Sequence, residues 1–324
     1  AETLHYGDHT LLPRALMPSG AWNLYVDTHP NGWWWHREEW LDYCLAYASG
    51  IDQSTGVYHK DKLIAILPLV IERGHFLGAG NPLPSALTTD GDDTTTHIVT
   101  ARIIQLARHH GILTGEFMMR PTKDEGNWSL RDEGDGGEGI EDLSFQTRIV
   151  NLTQPQGERK KALRKGNRCL VERRDYIGGC DLGLFEFYEK LHKRQYNNPR
   201  PQATYDLQRA WVKEGFARVY VLPSETSRSM EVDAAALWFI YKQHACYASG
   251  AYAGKNLAAG LIWEGMNDLA RLGIRYAELG WQGRARTIKE QNVEKFKRGF
   301  GGEDWTVLAA RFYYGLTQQH RGTV

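Results

Sequence analysis

The stretch that decides the fold is Tyr276-Ala-Glu-Leu-Gly-Trp-Gln-Gly283, followed by Ile288-Lys-Glu-Gln-Asn-Val-Glu-Lys-Phe-Lys-Arg-Gly-Phe-Gly-Gly302. The first segment predicts a short strand that ends in a glycine-bounded loop, and the second predicts a helix that stops at glycines. A longer helix is predicted ahead of the strand, over residues 256–273. A strand that leads into such a loop beside helix N-termini commonly builds a ligand pocket in an α/β layer. This part of the chain therefore predicts a pocket.

The composition indicates a globular protein of two domains or of one pseudo-repeated unit, because 324 residues exceed an average single domain. Hydrophobic residues make up 42% and charged residues 24%, which is ordinary for a soluble protein. The 11 Trp and 16 Tyr favour large buried faces and grooves that hold flat ligands. The net charge is zero, so the molecule as a whole does not attract a polyanion.

The cysteines and the N-terminal residues indicate a cytoplasmic protein. No C-x-x-C spacing joins the four cysteines, so neither a disulfide framework nor a metal site is expected among Cys44, Cys169, Cys180 and Cys246. Polar residues occupy the N-terminus where a signal peptide needs an apolar core. The longest apolar run, residues 63–71, has the length of a strand and contains a proline, so no membrane span is expected.

The first half of the chain predicts one α/β lobe over residues 1–148. Periodicity and turn residues give the order helix, strand, strand, loop, helix, strand, at residues 31–50, 56–59, 62–71, 78–84, 95–110 and 116–119. A further strand is predicted over residues 145–152. An acidic, glycine-rich segment at residues 123–142 is expected to be a solvated loop.

The second half, residues 149–324, predicts another lobe. A basic helix over residues 155–174 and helices over residues 185–195 and 205–213 come first. Three strands follow at residues 216–222, 234–243 and 245–253, the last two as a tight antiparallel hairpin. A helix, a strand, a helix and a final strand over residues 305–313 complete the lobe. The layout is that of the acyl-CoA N-acyltransferase (GNAT) fold, so we predict an α/β fold of two tandem GNAT-like lobes, each with a mixed, mainly antiparallel sheet flanked by helices.

Several segments of the second lobe together form a recognisable pattern, at residues 159–168, 185–192, 247–252, 261–264, 276–280 and 296–301. With these segments the chain resembles the Fem family, whose members carry two acetyltransferase-like lobes and make peptide bonds using aminoacyl-tRNA. The resemblance implies an aminoacyltransferase that moves an aminoacyl group from aminoacyl-tRNA to the amine of a peptide or small-molecule acceptor, in peptidoglycan-precursor or natural-product biosynthesis. It implies no cofactor besides this donor.

The resemblance also implies catalytic residues in the last helix. In the Fem family a Phe-Lys pair ahead of Phe-Gly lies at the acceptor end of the tRNA, and the lysine stabilises the oxyanion of the tetrahedral intermediate. The matching residues here are Lys297 and Phe296, ahead of Phe300 and Gly301. Without the resemblance, Lys297 is equally well explained as a solvated residue in a basic last turn, where its charge complements the helix dipole.

A general base is sought among four residues, since the attacking ammonium must lose a proton. Glu278 is the first candidate, because it alternates with Ala277 and Leu279 in a short strand and so faces a pocket or a partner, where its pKa is expected to rise. The alternatives are Glu264, His192 and His244. An aminoacyl ester is activated, so attack without a dedicated base also remains open.

Substrate-binding residues are predicted from a proline-bounded arginine and from aromatic residues. Arg200 is held between Pro199 and Pro201 and suits a carboxylate or a phosphate, although a proline-ordered loop that leads into a helix explains it as well. Aromatic residues that follow it or that flank the predicted pocket complete the set, namely Tyr205, Trp211, Tyr247, Tyr252 and Trp281.

Phosphate-binding residues are predicted from the basic helix. Five cations follow helical spacing and predict one charged face, Lys160, Lys161, Arg164, Lys165 and Arg168. Such a face suits tRNA or a nucleotide-linked acceptor, and a solvated surface helix is the alternative. Lys255, at a predicted helix N-terminus, is a second expected anion site.

Two other functions compete with aminoacyl transfer. An acyl-CoA-dependent N-acyltransferase would need a glycine-rich pyrophosphate loop, and the corresponding junction at residues 250–256 is a poor match to it. A non-catalytic module that binds RNA or a nucleotide would need only the basic helix and an aromatic groove. Substitution of Lys297 distinguishes a non-catalytic binding module from an enzyme, because binding should persist while turnover falls if this lysine is catalytic.

Overall fold

The computed structural model describes residues 3–89, 93–123, 139–170, 176–196, 199–224, 231–254, 257–283 and 287–314. The helices in these ranges are α1 (Ala21–Thr28), α2 (Glu38–Ala48), α3 (Asp93–His110), α4 (Gln156–Ala162), α5 (Lys165–Leu170), α6 (Leu182–Gln195), α7 (Gln202–Glu214), α8 (Ala258–Arg271) and α9 (Ile288–Arg298).

Strands occur singly or in groups before, between and after these helices. They are β1 (Leu4–Tyr6), β2 (His9–Pro13), β3 (Ile51–Asp52), β4 (Thr55–His59), β5 (Lys62–Leu67), β6 (Val70–Glu72), β7 (His75–Phe76), β8 (Leu83–Pro84), β9 (Leu87–Thr88), β10 (Thr114–Met118), β11 (Ile140–Asp142), β12 (Phe145–Asn151), β13 (Ile177–Gly179), β14 (Ala217–Pro223), β15 (Val232–Tyr241), β16 (His244–Tyr252), β17 (Tyr276–Gln282), β18 (Glu303–Val307) and β19 (Ala309–Tyr313).

The chain divides into two compact units, Ala1–Ser144 together with Thr306–Val324, and Phe145–Trp305. The sequence assigns one final strand, over residues 305–313, to the second lobe. The chain instead forms two strands, of which β18 lies next to β12 and β19 pairs antiparallel with β10 of the first unit. Leu308 separates the two strands along the chain.

The first unit contains two sheets. One has the order β1-β2-β4-β5-β9, and the other follows the path β11-β19-β10-β7-β6-β3 with β8 beside β10. The predicted helix over residues 95–110 is confirmed as α3. Helix α2 buries Trp40, Leu41 and Cys44 at the spacing of one helical face. Helix α1 and the hairpin of β1 and β2 were not expected from the sequence.

The second unit contains one sheet of order β13-β14-β15-β16-β17-β12-β18. The pairs β13–β14, β14–β15, β15–β16 and β12–β17 are antiparallel and β16–β17 is parallel, which confirms a mixed, mainly antiparallel sheet. Successive residues of β15 face opposite sides. Trp238 lies against α8, where a Cβ on Gly265 would be 2.8 Å from its indole nitrogen, and Phe239 contacts Trp211 of α7. Helices therefore cover both faces of the sheet.

The prediction of one continuous basic helix over residues 155–174 is wrong, because α4 ends at Ala162 and α5 begins at Lys165. Positions 171–174 of that range lie outside the described residues. Leu163 has φ −63° and ψ 135° and is buried in the apolar core. The Arg168 guanidinium then donates to the carbonyl oxygens of Lys161 and Leu163, at 2.8 and 3.2 Å. Burial of one apolar side chain thus interrupts the helix, and the five cations do not share one helical face. No helix within the described ranges is long and apolar enough to cross a membrane.

Candidate functional site

The candidate site lies where two neighbouring strands of the second unit separate. Strands β16 and β17 pair in parallel over three residue pairs, the last of which joins Cys246 to Glu278. Beyond that pair β16 continues to Tyr252 and β17 to Gln282, and no further pair joins them among the described residues. Cys246 and Glu278 therefore lie at the start of an opening in the sheet.

A β-bulge in β17 brings two functional side chains onto one face. Arg148 pairs with Gly280 and Ile149 pairs with Glu278, so Leu279 is the extra residue. Gly280 has φ +87°, a conformation that favours glycine. In a regular strand Glu278 and Trp281 would face opposite sides, since they are three positions apart. Because of the bulge, Thr147, which pairs with Trp281, donates a hydrogen bond to the Glu278 carboxylate at 2.8 Å.

Lys297 reaches this face from α9. The helix begins with a capping box formed by Thr287 and Glu290, which fixes its first turn. The Lys297 Nζ lies 4.8 Å from the centre of the Trp281 ring. A Cβ on Gly280 would be 3.1 Å from the same nitrogen. Gly280 is therefore needed both for the bulge and for the space that the ammonium occupies.

Burial controls the protonation of Lys297 and of the side chains around it. It lowers the pKa of Lys297 to about 8, partly offset by Cys246 and by the carboxylates of Glu278 and Glu294. Burial raises the pKa of Glu278, against the opposing effects of the Thr147 hydrogen bond and of Lys297. Burial also raises the pKa of the Cys246 thiol. At neutral pH the lysine is mostly an ammonium.

We call Thr147, Cys246, Glu278, Trp281 and Lys297 together the lysine site. It combines a hydrogen-bond donor of positive charge with a carboxylate of raised pKa at an opening in the sheet. A donor of this kind can stabilise a developing oxyanion, and such a carboxylate can accept a proton. In the part of the chain that the structure describes, no group of three or more His, Cys, Asp or Glu side chains is arranged to hold a metal ion.

Phe296 lies next to Lys297 in sequence but points elsewhere. Its ring packs edge-on against Phe300, with 5.2 Å between the centroids, and both rings join the apolar core. It anchors the end of α9, and the structure does not bring it into the lysine site.

A polar cluster on α6 and α7 contains two of the predicted substrate-binding residues. The Tyr188 and Ser249 hydroxyls share a hydrogen bond, and the Arg200 side chain donates to the Tyr188 oxygen. His192 Nδ1 and the Tyr205 hydroxyl are hydrogen-bonded at 2.9 Å. Burial raises the pKa of Tyr205 to about 12, and burial together with Arg200 lowers the pKa of His192 to about 4. Both side chains are therefore neutral at pH 7.

Tyr247 and Tyr252 are brought together at the opened edge of β16. Their hydroxyls share a hydrogen bond, and a Cβ on Gly250 would lie 2.3 and 2.2 Å from the two oxygens. The Tyr252 backbone N–H donates to the Gln195 side-chain oxygen at 2.8 Å, which links this edge to α6. Burial raises the pKa of both phenols.

The remaining predicted residues lie elsewhere. Trp211 is 1% exposed and packs edge-on against Phe239, so it is a core residue and not part of an open groove. Lys161 forms an exposed ion pair with Glu158 at 2.8 Å. Arg164, Lys165 and Arg168 are exposed, and Lys160 is half-buried. Lys255 lies outside the described residues.

Four residues of these clusters were missed from the sequence, namely Thr147, Cys246, Tyr188 and Ser249. The Leu-Gly step inside a predicted strand was a usable signal of a bulge. The pairing of Cys246 with Glu278 had no signal, because it joins two strands that α8 separates along the chain.

The fold is shared with several solved structures. FemX aligns with a TM-score of 0.68 at 11% identity, over 97% of this chain and 97% of that one. L-PGS from Bacillus licheniformis aligns with a TM-score of 0.53 at 14% identity, over 87% and 93%. A tandem GNAT protein from the clavulanic acid biosynthesis pathway aligns with a TM-score of 0.50 at 11% identity, over 95% and 99%. No protein-family model and no curated protein matches the chain.

These similarities define the class of fold. The chain has a tandem GNAT-like fold, as predicted, and it shares that fold with FemX over nearly its whole length. The predicted resemblance to the Fem family is thus confirmed at the level of the fold. At identities of 11–14%, the comparison shows the fold alone.

Proposed function

We propose that this protein is an acyltransferase, and specifically an aminoacyltransferase that moves an aminoacyl group from aminoacyl-tRNA to the amine of a peptide or small-molecule acceptor. The observation that carries the proposal is the Lys297 ammonium, held against Gly280 and Trp281 on the same face as Glu278 at the opening between β16 and β17. The fold shared with FemX supports it.

The lysine site suits each step of ester aminolysis. The acceptor nitrogen attacks the ester carbonyl carbon, a C–N bond forms and the carbonyl oxygen becomes an oxyanion. The Lys297 ammonium donates a hydrogen bond to that oxyanion. Glu278 takes a proton from the attacking nitrogen. The ester C–O bond then breaks, and the ribose oxygen leaves as a hydroxyl with the proton that Glu278 took.

The acceptor is assigned to the polar cluster around Arg200. A guanidinium beside buried phenols is suited to a carboxylate or a phosphate, because it offers several donors in one plane. The guanidinium donates to the Tyr188 oxygen, and the Arg200 backbone is hydrogen-bonded to the Tyr205 hydroxyl. Tyr247 and Tyr252 border the opening in the sheet and offer aromatic contacts. Peptidoglycan precursors and small natural products that carry an amine and an acidic group both fit this chemistry.

The donor is assigned to the opening that Lys297 faces, with exposed cations available to the tRNA phosphates. The predicted phosphate-binding set is retained as a proposal for Lys160, Lys161, Arg164, Lys165, Arg168 and Lys255. Of the described members, Lys161, Arg164, Lys165 and Arg168 have the exposure that such contacts require.

A donor-competition experiment tests the proposal. The protein is incubated with amine acceptors and either radiolabelled aminoacyl-tRNA or labelled acetyl-CoA, and consumption of each donor is measured against its spontaneous hydrolysis. We expect acceptor-dependent loss of the aminoacyl ester. Consumption of acetyl-CoA alone would overturn the proposal in favour of a CoA-dependent N-acyltransferase.

A binding control separates catalysis from simple RNA recognition. Lys297→Met should retain the affinity for tRNA and lose at least 100-fold in turnover, since one oxyanion donor is worth about 10²–10³ in rate. Full turnover in Lys297→Met, with unchanged tRNA binding, would remove the lysine from the mechanism.

A further inference from the structure

A second cleft is lined in part by α9, the helix that carries Lys297. It has a volume of about 440 Å³ and is lined by Arg164, Gln291, Glu294, Lys295, Arg298 and Gly299. We call it the α9 cleft. Residues 291, 294, 295 and 298 share one face of the helix by their spacing, whereas Lys297 reaches Trp281 on β17.

The interruption between α4 and α5 supplies the opposite wall of the α9 cleft. Leu163 is extended and buried, and the chain then turns so that Arg164 lines the cleft. The Arg164 backbone N–H donates to the Gly299 carbonyl at 2.9 Å, which joins the two walls. A continuous basic helix would not have produced this arrangement.

The polar groups of the α9 cleft are mostly donors. Three cations come from two separate elements, against one carboxylate, that of Glu294. Arg298 has one contact with Asp304, at 3.8 Å, and its side chain is 51% exposed. Two cations in the last turn of α9 also complement the helix dipole. That effect does not account for Arg164, which belongs to another element.

A buried amide beside the α9 cleft points to a ligand as well. Asn167 is 9% exposed, and its side-chain nitrogen has no hydrogen-bond partner among the described residues. That nitrogen lies beside Gly299, where a Cβ would approach it to 2.6 Å. A buried donor without an acceptor is unfavourable. The Asn167 side-chain nitrogen therefore favours a ligand that presents acceptor atoms only. A phosphate group has this property.

We infer that the α9 cleft binds backbone phosphates of RNA, near the aminoacylated end of the tRNA donor. The inference rests on the proposed function for the identity of the RNA. An open cleft with several cations, continued by the exposed Lys165, suits a strand of repeated charge. Glu294, which lines the cleft, also acts on the pKa of Lys297, so the cleft lies close to the lysine site.

The test measures RNA binding separately from aminoacyl transfer. Binding of an uncharged minihelix RNA with a single-stranded 3′ end is followed by fluorescence anisotropy at several salt concentrations. The triple variant Arg164→Gln, Lys295→Gln, Arg298→Gln should bind at least 10-fold more weakly at low salt. Its plot of log K against log salt should be shallower by about 2, since each single-strand phosphate contact contributes about 0.7.

Two further variants control for lost charge and for lost folding. A matched triple variant, Lys190→Gln, Lys213→Gln, Lys289→Gln, removes three exposed cations away from the α9 cleft and should keep most of the affinity and the slope. Asn167→Asp keeps the side-chain shape, replaces the unpartnered donor with an acceptor and should weaken binding. Melting temperatures verify that each variant is folded. Equal losses of affinity in both triple variants would overturn the inference.

Transfer assays distinguish failure of this site from failure of the proposed function. If the triple variant of the α9 cleft transfers the aminoacyl group with an unchanged KM for tRNA, the phosphate site is wrong and the proposed function stands. If wild-type protein binds the minihelix through the cleft but transfers nothing from any aminoacyl-tRNA, the proposed function is wrong and the binding site stands.

Discussion

The ammonium nitrogen of Lys297 lies 4.8 Å from the centre of the Trp281 ring. A cation over an indole face is attracted by the ring quadrupole, by about 0.5–2 kcal/mol depending on desolvation. Burial acts in the opposite direction and lowers the pKa of Lys297 to about 8. The ring therefore helps to keep the lysine charged at neutral pH and fixes where the ammonium lies.

The Trp281 ring is expected to set both the rate and its pH dependence. Trp281→Leu removes the cation–π contact, so kcat should fall about 2- to 30-fold and the alkaline limb of the rate profile should move to lower pH. Trp281→Phe keeps an aromatic face and should retain most of the activity. Steady-state kinetics from pH 6 to 10 measures both effects, and equal losses in the two variants would contradict the contact.

The protonation of Lys297 predicts how the rate falls in alkali. An ammonium with a pKa of about 8 loses its proton above that pH, so kcat/KM should fall on the alkaline side. Lys297→Arg remains charged and should lose this limb, although the longer side chain lowers the maximal rate. On the acid side the rate should fall as Glu278 is protonated, above the usual range for Glu because burial raises its pKa. An unchanged alkaline limb in Lys297→Arg would assign it to another group.

Gly280 offers a matched test of the space beside Lys297. Gly280→Ala and Gly283→Ala both place a Cβ on a residue with positive φ, +87° and +77°. Each substitution should lower the free energy of unfolding by about 1–2 kcal/mol. At Gly280 the new Cβ would also lie 3.1 Å from the Lys297 nitrogen, whereas at Gly283 it meets nothing within 4 Å. We expect similar losses of thermal stability and a loss of activity of about 10-fold in Gly280→Ala alone. Comparable activities would show that the ammonium position is not critical.

Arg200 is expected to act on the acceptor and not on the chemistry. Arg200→Lys keeps the charge and loses the planar fork of donors, so KM for the acceptor should rise about 10-fold with little change in kcat. Arg194→Lys, an exposed substitution on α6, is the control and should leave both constants unchanged. A fall in kcat without a change in KM would place Arg200 at the reacting atoms instead.

Two buried histidines predict a loss of stability in acid. Burial lowers the pKa values of His36 and His192 to about 4, below the value of about 6.5 expected in the unfolded chain. The unfolded chain therefore binds more protons between these values, and the free energy of unfolding falls as the pH falls from 6.5 to 4, by about 3 kcal/mol per histidine.

Urea unfolding at pH 7 and pH 5 measures this effect. His36→Gln should make the first unit less sensitive to acid, since glutamine can still donate to the Ser85 carbonyl that His36 contacts at 3.0 Å. His97→Gln, an exposed substitution on α3, should leave the pH dependence as it is. Identical pH dependence in all three proteins would contradict the assignment to His36.

Much of the second unit was predictable because its signals are local. Alternation and turn residues predicted β14 to β17, and apolar periodicity predicted α8 and α9, with boundaries that differ by a few residues. The prediction of one basic helix failed because the helical spacing of charges is a local signal, whereas the break at Leu163 follows from burial of that side chain against distant parts of the chain. The prediction of one final strand failed for a similar reason, since Arg311 of β19 pairs with Glu116 of β10, 195 positions earlier in the chain.

The candidate site was predictable in its residue types and not in its geometry. Lys297, Glu278 and Trp281 were selected from one stretch of sequence, in which Glu278 and Trp281 should have faced opposite sides of a strand. The bulge at Leu279 and Gly280 reverses that expectation. Trp211, chosen as a groove residue because it follows Arg200, belongs to the core instead.

The sequence by itself determined the order of most helices and strands in the second unit, the glycine at the bend of β17 and the lysine at the end of α9, because short-range periodicity and backbone preference specify them. Only the tertiary structure decided that Cys246 lies beside Glu278, that Lys297 lies over Trp281 and that Arg164 faces Lys295 across a cleft. Such pairings join segments far apart in the chain. Their register is set by packing and loop closure, which no local pattern records.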